Sequence, residues 1–316
     1  MIARLVLLLA VALLGACARA PIVPMGAAGL PDRGELVAVP FFPQQAYQCG
    51  PAALATMLTQ RGVDTDPEQL VRRVYLPERK GSLQVEMVAA ARAYDLLVYP
   101  LAPRLEAVLS EVAQGNPVLV LQNLAFERWP QWHFAVVVGY DLAKQQIILR
   151  SGTSRRWIGT FRQFERSWAG GDRWAVVVVA PDQLPATATE TSWLKAASDL
   201  EQTGHRDAAV QAYQKAASRW SGNLAWFALA NARYAQGDLR LAEQALRNSL
   251  HREGRFAPAW FNLSQVLAER GCPLDAQAAQ RCAVRLAPDD ARFKSSRLGD
   301  TPVGERCEFV PACPAP

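Results

Sequence analysis

Hydrophobic and polar positions along the 316-residue chain fall into three successive patterns. The first is one short apolar run, residues 5–14, behind Arg4. The second, from about residue 36 to 182, mixes helical stretches with β-branched runs. Residues 70–75, 84–94 and 105–113 predict helices, the second with Leu83, Met87, Ala90 and Ala91 as its buried face. Small apolar residues after Cys49 predict another, with Pro51 tolerated in its first turn. Residues 117–122, 133–140, 145–150 and 174–179 predict strands, with a turn at 141–144. The third pattern repeats. Trp193, Trp226 and Trp260 recur at intervals of 33 and 34, as do Gly204, Gly237 and Gly271, and Ala209, Ala242 and Ala276.

Units of about 34 residues with large and small packing positions are the tetratricopeptide signature of paired helices. In each unit the glycine ends the first helix and the alanine lets the second approach closely. Leu263, Leu267, Ala283 and Pro288 complete the third unit. The predicted fold class is therefore an α+β domain followed by an all-α tetratricopeptide-repeat solenoid. Three repeats are about the minimum for a stable array, whose groove is expected to dock a peptide or protein partner.

The apolar run is too short to span a bilayer core, which takes about 20 residues in a helix. It ends in Leu14-Gly15-Ala16-Cys17, which resembles the lipobox of bacterial lipoproteins. The resemblance implies cleavage before Cys17 and lipidation of that residue. Ala18 in second place, rather than Asp, implies the periplasmic face of the outer membrane. The expected organisation is a signal peptide at 1–16, a lipidated cysteine and tether at 17–35, and a first domain at 36–182. A linker at 183–191, the repeats at 192–290 and a tail at 291–316 follow. The membrane partner is expected through the lipid anchor only.

Composition narrows the chemistry. Basic residues exceed acidic ones 34 to 29 without forming a stripe, so no nucleic-acid partner is expected. No glycine-rich phosphate loop with a lysine appears, and no His-Glu-x-x-His or paired Cys-x-x-Cys, so no cofactor or metal is expected. Cys272, Cys282, Cys307 and Cys313 lie in or after the third repeat. Cys272 and Cys282 would be about 15 Å apart on a mostly helical segment, so each is expected to pair with the tail.

Cys49 is placed where nucleophilic thiols are commonly found, near a helix N-terminus whose exposed N–H groups favour a thiolate. Of three histidines, His133, His205 and His251, only His133 shares its domain. A thiol needs a base, and His133, opening the strand at 133–140, is the imidazole at hand. His205 and His251 lie near repeat turns as surface residues. Trp129 and Trp132 flank His133 and default to the core, a wall of a substrate groove being the alternative. Arg150, Arg155 and Arg156 default to a solvated edge.

Gln44…Gln48-Cys49-Gly50-Pro51-Ala52-Ala53, together with the His133 strand, resembles the papain-like, double-glycine-leader peptidase domain of bacteriocin exporters and its stand-alone bacterial relatives. The ATPase half of those exporters is missing here. The resemblance implies a papain-like cysteine peptidase with Cys49 as nucleophile, His133 as base and a glutamine as oxyanion donor. It also implies cleavage after small residues. The family's glutamine stands six before the cysteine, where this chain has Pro43. Gln44 is preferred, with Gln45 open. The orienting Asp or Asn is absent. Asp141 is too far along the same strand, about 26 Å at ~3.3 Å per residue. If 141–144 turn a hairpin, His133 meets roughly residues 151–154, and Ser151 is the best match. A hydroxyl there holds an imidazolium less well than a carboxylate. The expected function is cleavage of a peptide or amide bond in a peptide or protein substrate. The alternatives are a catalytically weak interaction module and acyl transfer through the same thioester.

Overall fold

The computed structural model describes residues 22–23, 29–44, 46–294 and 311–315. Cys17 and the lipobox therefore lie outside the described residues, as do Gln45 and Cys307. The chain divides into two compact units. One takes the chain up to Gln84 and Leu101–Val177, the other Val85–Pro100 and Val178 onward.

In the first unit, helix α1 (Cys49–Thr59) is followed by α2 (Pro67–Val74) and α4 (Leu105–Ala113). Strands β3 (Val118–Asn123), β4 (Trp132–Asp141), β5 (Gln146–Ser151) and β6 (Ser154–Thr160) precede α5 (Phe161–Ala169) and β7 (Ala175–Val179). The strands run antiparallel in the order β7-β3-β4-β5-β6, with β1 (Arg33–Glu35) also pairing with β4. Central β3 and β4 are buried almost throughout, which is why their sequences are largely apolar. Gly139 is needed where β1 crosses β4, because a Cβ there would stand 2.8 Å from the Gly34 carbonyl oxygen.

Helix α2 begins earlier than the sequence pattern predicts, at Pro67, because Asp66 caps it by accepting from Gln69 N–H at 2.8 Å. Strand β6 and helix α5 were not predicted. β6 has an exposed surface and lacks apolar alternation. Helix α5 carries a reciprocal Thr160–Gln163 capping box and buries Phe161, Phe164 and Trp168. Within the stretch read as a tether, Val23 is fully buried, and Ile22 and Val23 donate backbone N–H groups to Gln145 Oε1. This part of it is packed rather than free.

The second unit holds α3 (Gln84–Arg92), β2 (Leu97–Pro100) and six helices in antiparallel pairs. These are α6 (Glu190–Gln202), α7 (Arg206–Arg219), α8 (Leu224–Ala235), α9 (Leu239–Arg252), α10 (Ala257–Glu269) and α11 (Pro273–Leu286), with a short α12 (Ala291–Lys294) after them. Residues 85–100 make direct ties within this unit. Arg92 pairs with Asp199 at 3.1 Å, His205 Nδ1 with Asp95 at 2.8 Å, and Tyr99 Oη donates to the Thr187 carbonyl. Gly204, Gly237 and Gly271 adopt φ of +95°, +81° and +78° at the ends of the first helices of their pairs. That left-handed conformation accounts for their recurrence. Ala209, Ala242 and Ala276 are fully buried, as is Trp193, while Trp226 is half-buried. Cys282 is bonded to Cys313 with Cα atoms 5.6 Å apart, and Cys272 is also disulfide-bonded.

Candidate active site

Cys49 is the first residue of α1, a helix whose small side chains let Cys49–Leu58 bury completely. Tyr47, two residues earlier, has φ of +63°, and this left-handed kink turns the chain into the helix. The nearby backbone N–H groups of Phe134, Gly50 and Cys49 itself favour the thiolate form of the sulfur. Burial outweighs them and pushes the thiol pKa up. The sequence pattern led to the opposite expectation, a thiolate favoured by the helix terminus. Desolvation by the packed domain reverses it.

The influence of the Phe134 N–H puts the sulfur near the start of β4, where Phe134 follows His133 in the chain. His133 is buried, and its Nε2 lies 2.8 Å from Ser151 Oγ. Burial alone pulls the imidazole pKa down to about 4. Among the described residues no carboxylate pairs with it. The hairpin explains the contact with Ser151. Val136 faces Arg150 across β4 and β5, so continuing the antiparallel pairing brings Ser151 opposite Ala135, two residues from His133 on one face. With Nε2 engaged by Ser151, Nδ1 is the nitrogen left to take a thiol proton.

Residues 150–152 form a node under the site. Arg150 is 5% exposed and donates to the carbonyls of Val39, Val37, Leu36 and Arg155. It is an interior clamp, not the solvated edge expected of it. Arg155 and Arg156 are exposed, and Arg156 pairs with Glu35 at 2.8 Å. Gly152 accepts the Gln44 backbone N–H at 3.1 Å, tying the segment before Cys49 to the strand that carries Ser151. Gln44 is half-buried, and Gln45 lies outside the described residues.

The tryptophans beside His133 correct another expectation. Trp129 and Trp132 are 75% and 53% exposed, not core. They sit on or beside a turn in which Asn123 Oδ1 accepts from the N–H groups of Ala125 and Gln131. The sequence pattern also missed residues from α5. A cavity of about 620 Å³ is lined by Gln122, Phe126, Ser151, Trp157 and Ser167, among others. Gln122 is the register partner of His133 on β3, and its Nε2 donates to Ser167 Oγ at 2.6 Å. The Thr160-x-x-Gln163 box ahead of Phe161, Phe164 and Trp168 is the signal that would have located this wall. Among the described residues, no group of three His, Cys, Asp or Glu side chains is placed to hold a metal ion.

Residues 36–173 match the model of the Peptidase_C39 like family. This segment is a C39-like domain. C39 peptidases are cysteine peptidases, and the match spans Gln44, Cys49, His133 and Ser151. A solved structure described as a C39-like peptidase from Bacillus anthracis is 18% identical over 47% of this chain and 98% of its own, with a TM-score of 0.40. The structure of a double glycine motif protease from an AMS/PCAT transporter, in complex with the leader peptide, is 22% identical over 46% of this chain and 94% of its own, with a TM-score of 0.34. No curated protein matches the chain.

Proposed function

We propose that the C39-like domain is a working cysteine peptidase that hydrolyses a peptide bond in a peptide or protein substrate. The observation that carries this is that the one free thiol of the described residues, Cys49, lies near enough to the backbone N–H of Phe134, the residue after the buried His133, for that N–H to favour its thiolate. Cys49 Sγ attacks the scissile carbonyl carbon while His133 takes the thiol proton. The oxyanion is held by the Cys49 N–H and Gln44. The C–N bond then breaks, and His133 passes its proton to the leaving amine. Water attacks the thioester, His133 takes its proton, and the acid product leaves as the thiol is restored. Burial suits this route, because both partners rest neutral and the proton moves only during attack. The test is incubation of the full chain with a peptide mixture and mass spectrometry of new termini. Cuts absent from a Cys49→Ala variant support the reading; an identical pattern in both proteins ends it.

One observation favours a second reading. Ser151 stands where a carboxylate or amide would hold an imidazolium, so the domain is then catalytically weak and binding is the working activity. In that case Cys49→Ala would leave the cellular phenotype intact.

The anchoring and the helical pairs belong to the same proposal. The lipobox at Leu14–Cys17 supports lipidation of Cys17 and attachment to the outer membrane facing the periplasm. Metabolic labelling with radioactive palmitate should mark the wild type and not Cys17→Ser. The 33–34-residue spacing, the left-handed glycines and the buried alanines support tetratricopeptide repeats that hold a substrate or partner protein.

A further inference from the structure

Large apolar side chains left in water on a rigid frame mark a surface that something covers. The turn between β3 and β4 is such a frame. Asn123 Oδ1 accepts from the N–H groups of Ala125 and Gln131, each at 3.0 Å, and Leu124 N–H donates to the Gln131 carbonyl at 2.9 Å. From it Leu124 projects 50% exposed and Phe126 79% exposed, and Trp157 on β6 is 38% exposed. These three are the large apolar side chains that line the cavity of about 620 Å³. The lining also holds polar groups, with Ser167 bonded to Gln122, which is itself 3% exposed. Glu127 and Arg166 add one charge of each sign, so charge gives the cavity no preference. Its volume lies within the range of small-ligand sites, large enough for an aromatic side chain with its flanking backbone.

The position of the cavity says which part of a substrate reaches it. Ser151, which bonds the imidazole Nε2, and Gln122, the register partner of His133, both line it, whereas Cys49 and His133 do not. The cavity therefore opens beyond the imidazole. In thiol hydrolysis the leaving amine takes its proton from that imidazole, so the departing segment lies on the imidazole side of the sulfur. We propose that this cavity is the subsite for the first three residues after the scissile bond, and that Phe126 and Trp157 select a large apolar side chain there. The assignment rests on the peptidase reading and names the half of the substrate that reading leaves open.

The experiment uses the full chain and the peptides of a trypsin-digested bacterial lysate, with the residues flanking each cut read by mass spectrometry. Wild type should enrich Phe, Trp, Leu, Ile or Met within three residues after the cut. The double variant Phe126→Ser/Trp157→Ser should lower that enrichment about tenfold, while the preference before the cut is kept. Trp129→Ser, an equally exposed aromatic of the same turn outside the cavity, should keep the enrichment. Circular dichroism checks that all variants are folded. Cys49-dependent cuts with no apolar preference after the bond overturn the subsite and leave the peptidase reading standing. A preference lost equally in Trp129→Ser also overturns it. No Cys49-dependent cut at all overturns both.

Discussion

The imidazole Nε2 of His133 lies 2.8 Å from the Ser151 hydroxyl oxygen, and no carboxylate of the described residues takes that place. For Nδ1 to accept the thiol proton, Nε2 must carry hydrogen and donate to Ser151. The hydroxyl thus selects a tautomer without adding a charge that would stabilise an imidazolium.

Ser151→Ala should therefore lower kcat/KM on a cleaved peptide by about ten- to a hundredfold, with a smaller change in KM. Ser151→Asp should raise the His133 pKa and move the acid limb of the kcat/KM profile upward. Profiles of the three proteins on one peptide check this. An unmoved acid limb in Ser151→Asp would show that position 151 does not govern the imidazole.

His133 titrates near 4 in the folded chain against 6.5 for an ordinary histidine, because burial disfavours its charged form. The unfolded chain then binds more protons between those values, so stability is complete above pH 6.5 and falls as pH drops toward 4. The contribution is about 3 kcal/mol at one pKa unit per 1.36 kcal/mol. Urea unfolding of wild type and His133→Gln should show this acid loss only in wild type. The acid limb of kcat/KM should likewise fall near pH 4.

Burial raises the Cys49 thiol pKa, so little thiolate exists at neutral pH. Alkylation by iodoacetamide should be slow at pH 7 and rise only above the usual thiol range. Because His133 rests neutral, His133→Ala should leave that midpoint unmoved. A fast reaction at pH 6 that disappears in His133→Ala would show a thiolate–imidazolium pair in the free protein.

Arg150 donates to four backbone carbonyls and holds residues 36–39 against β5 and β6. Arg150→Met keeps the stem but strips those donors. It should cost about 2–3 kcal/mol of stability, the scale of carbonyls left without partners. Activity should fall as well, since the same node carries Ser151 and the Gln44–Gly152 bond. Denaturant midpoints and kcat/KM measured together distinguish this from a surface role, for which neither moves.

Local pattern made much of this chain legible. Apolar runs marked β3, β4, β5 and β7, because a strand buried on both faces favours apolar residues and admits polar ones such as Gln122, His133 and Arg150 only where they find partners. The glycine and alanine intervals marked the helical pairs, because a left-handed turn and a close helix contact each admit few residue types. Counting residues through the 141–144 turn brought His133 toward Ser151, because strand spacing is regular. Polar β6 and capped α5 went unread, and with them the wall formed by Trp157 and Ser167.

What the sequence by itself determined is that one thiol, Cys49, and one imidazole, His133, share a domain, and which elements carry them. Tertiary structure alone decided their charge state, since desolvation comes from residues distant in the chain and here exceeds the pull of the helix terminus. It decided too that Arg150 lies inside while Trp129 and Trp132 lie outside. Those outcomes invert the usual residue preferences, because each is set by the neighbours that folding supplies: carbonyls for the guanidinium, and open solvent for the indoles.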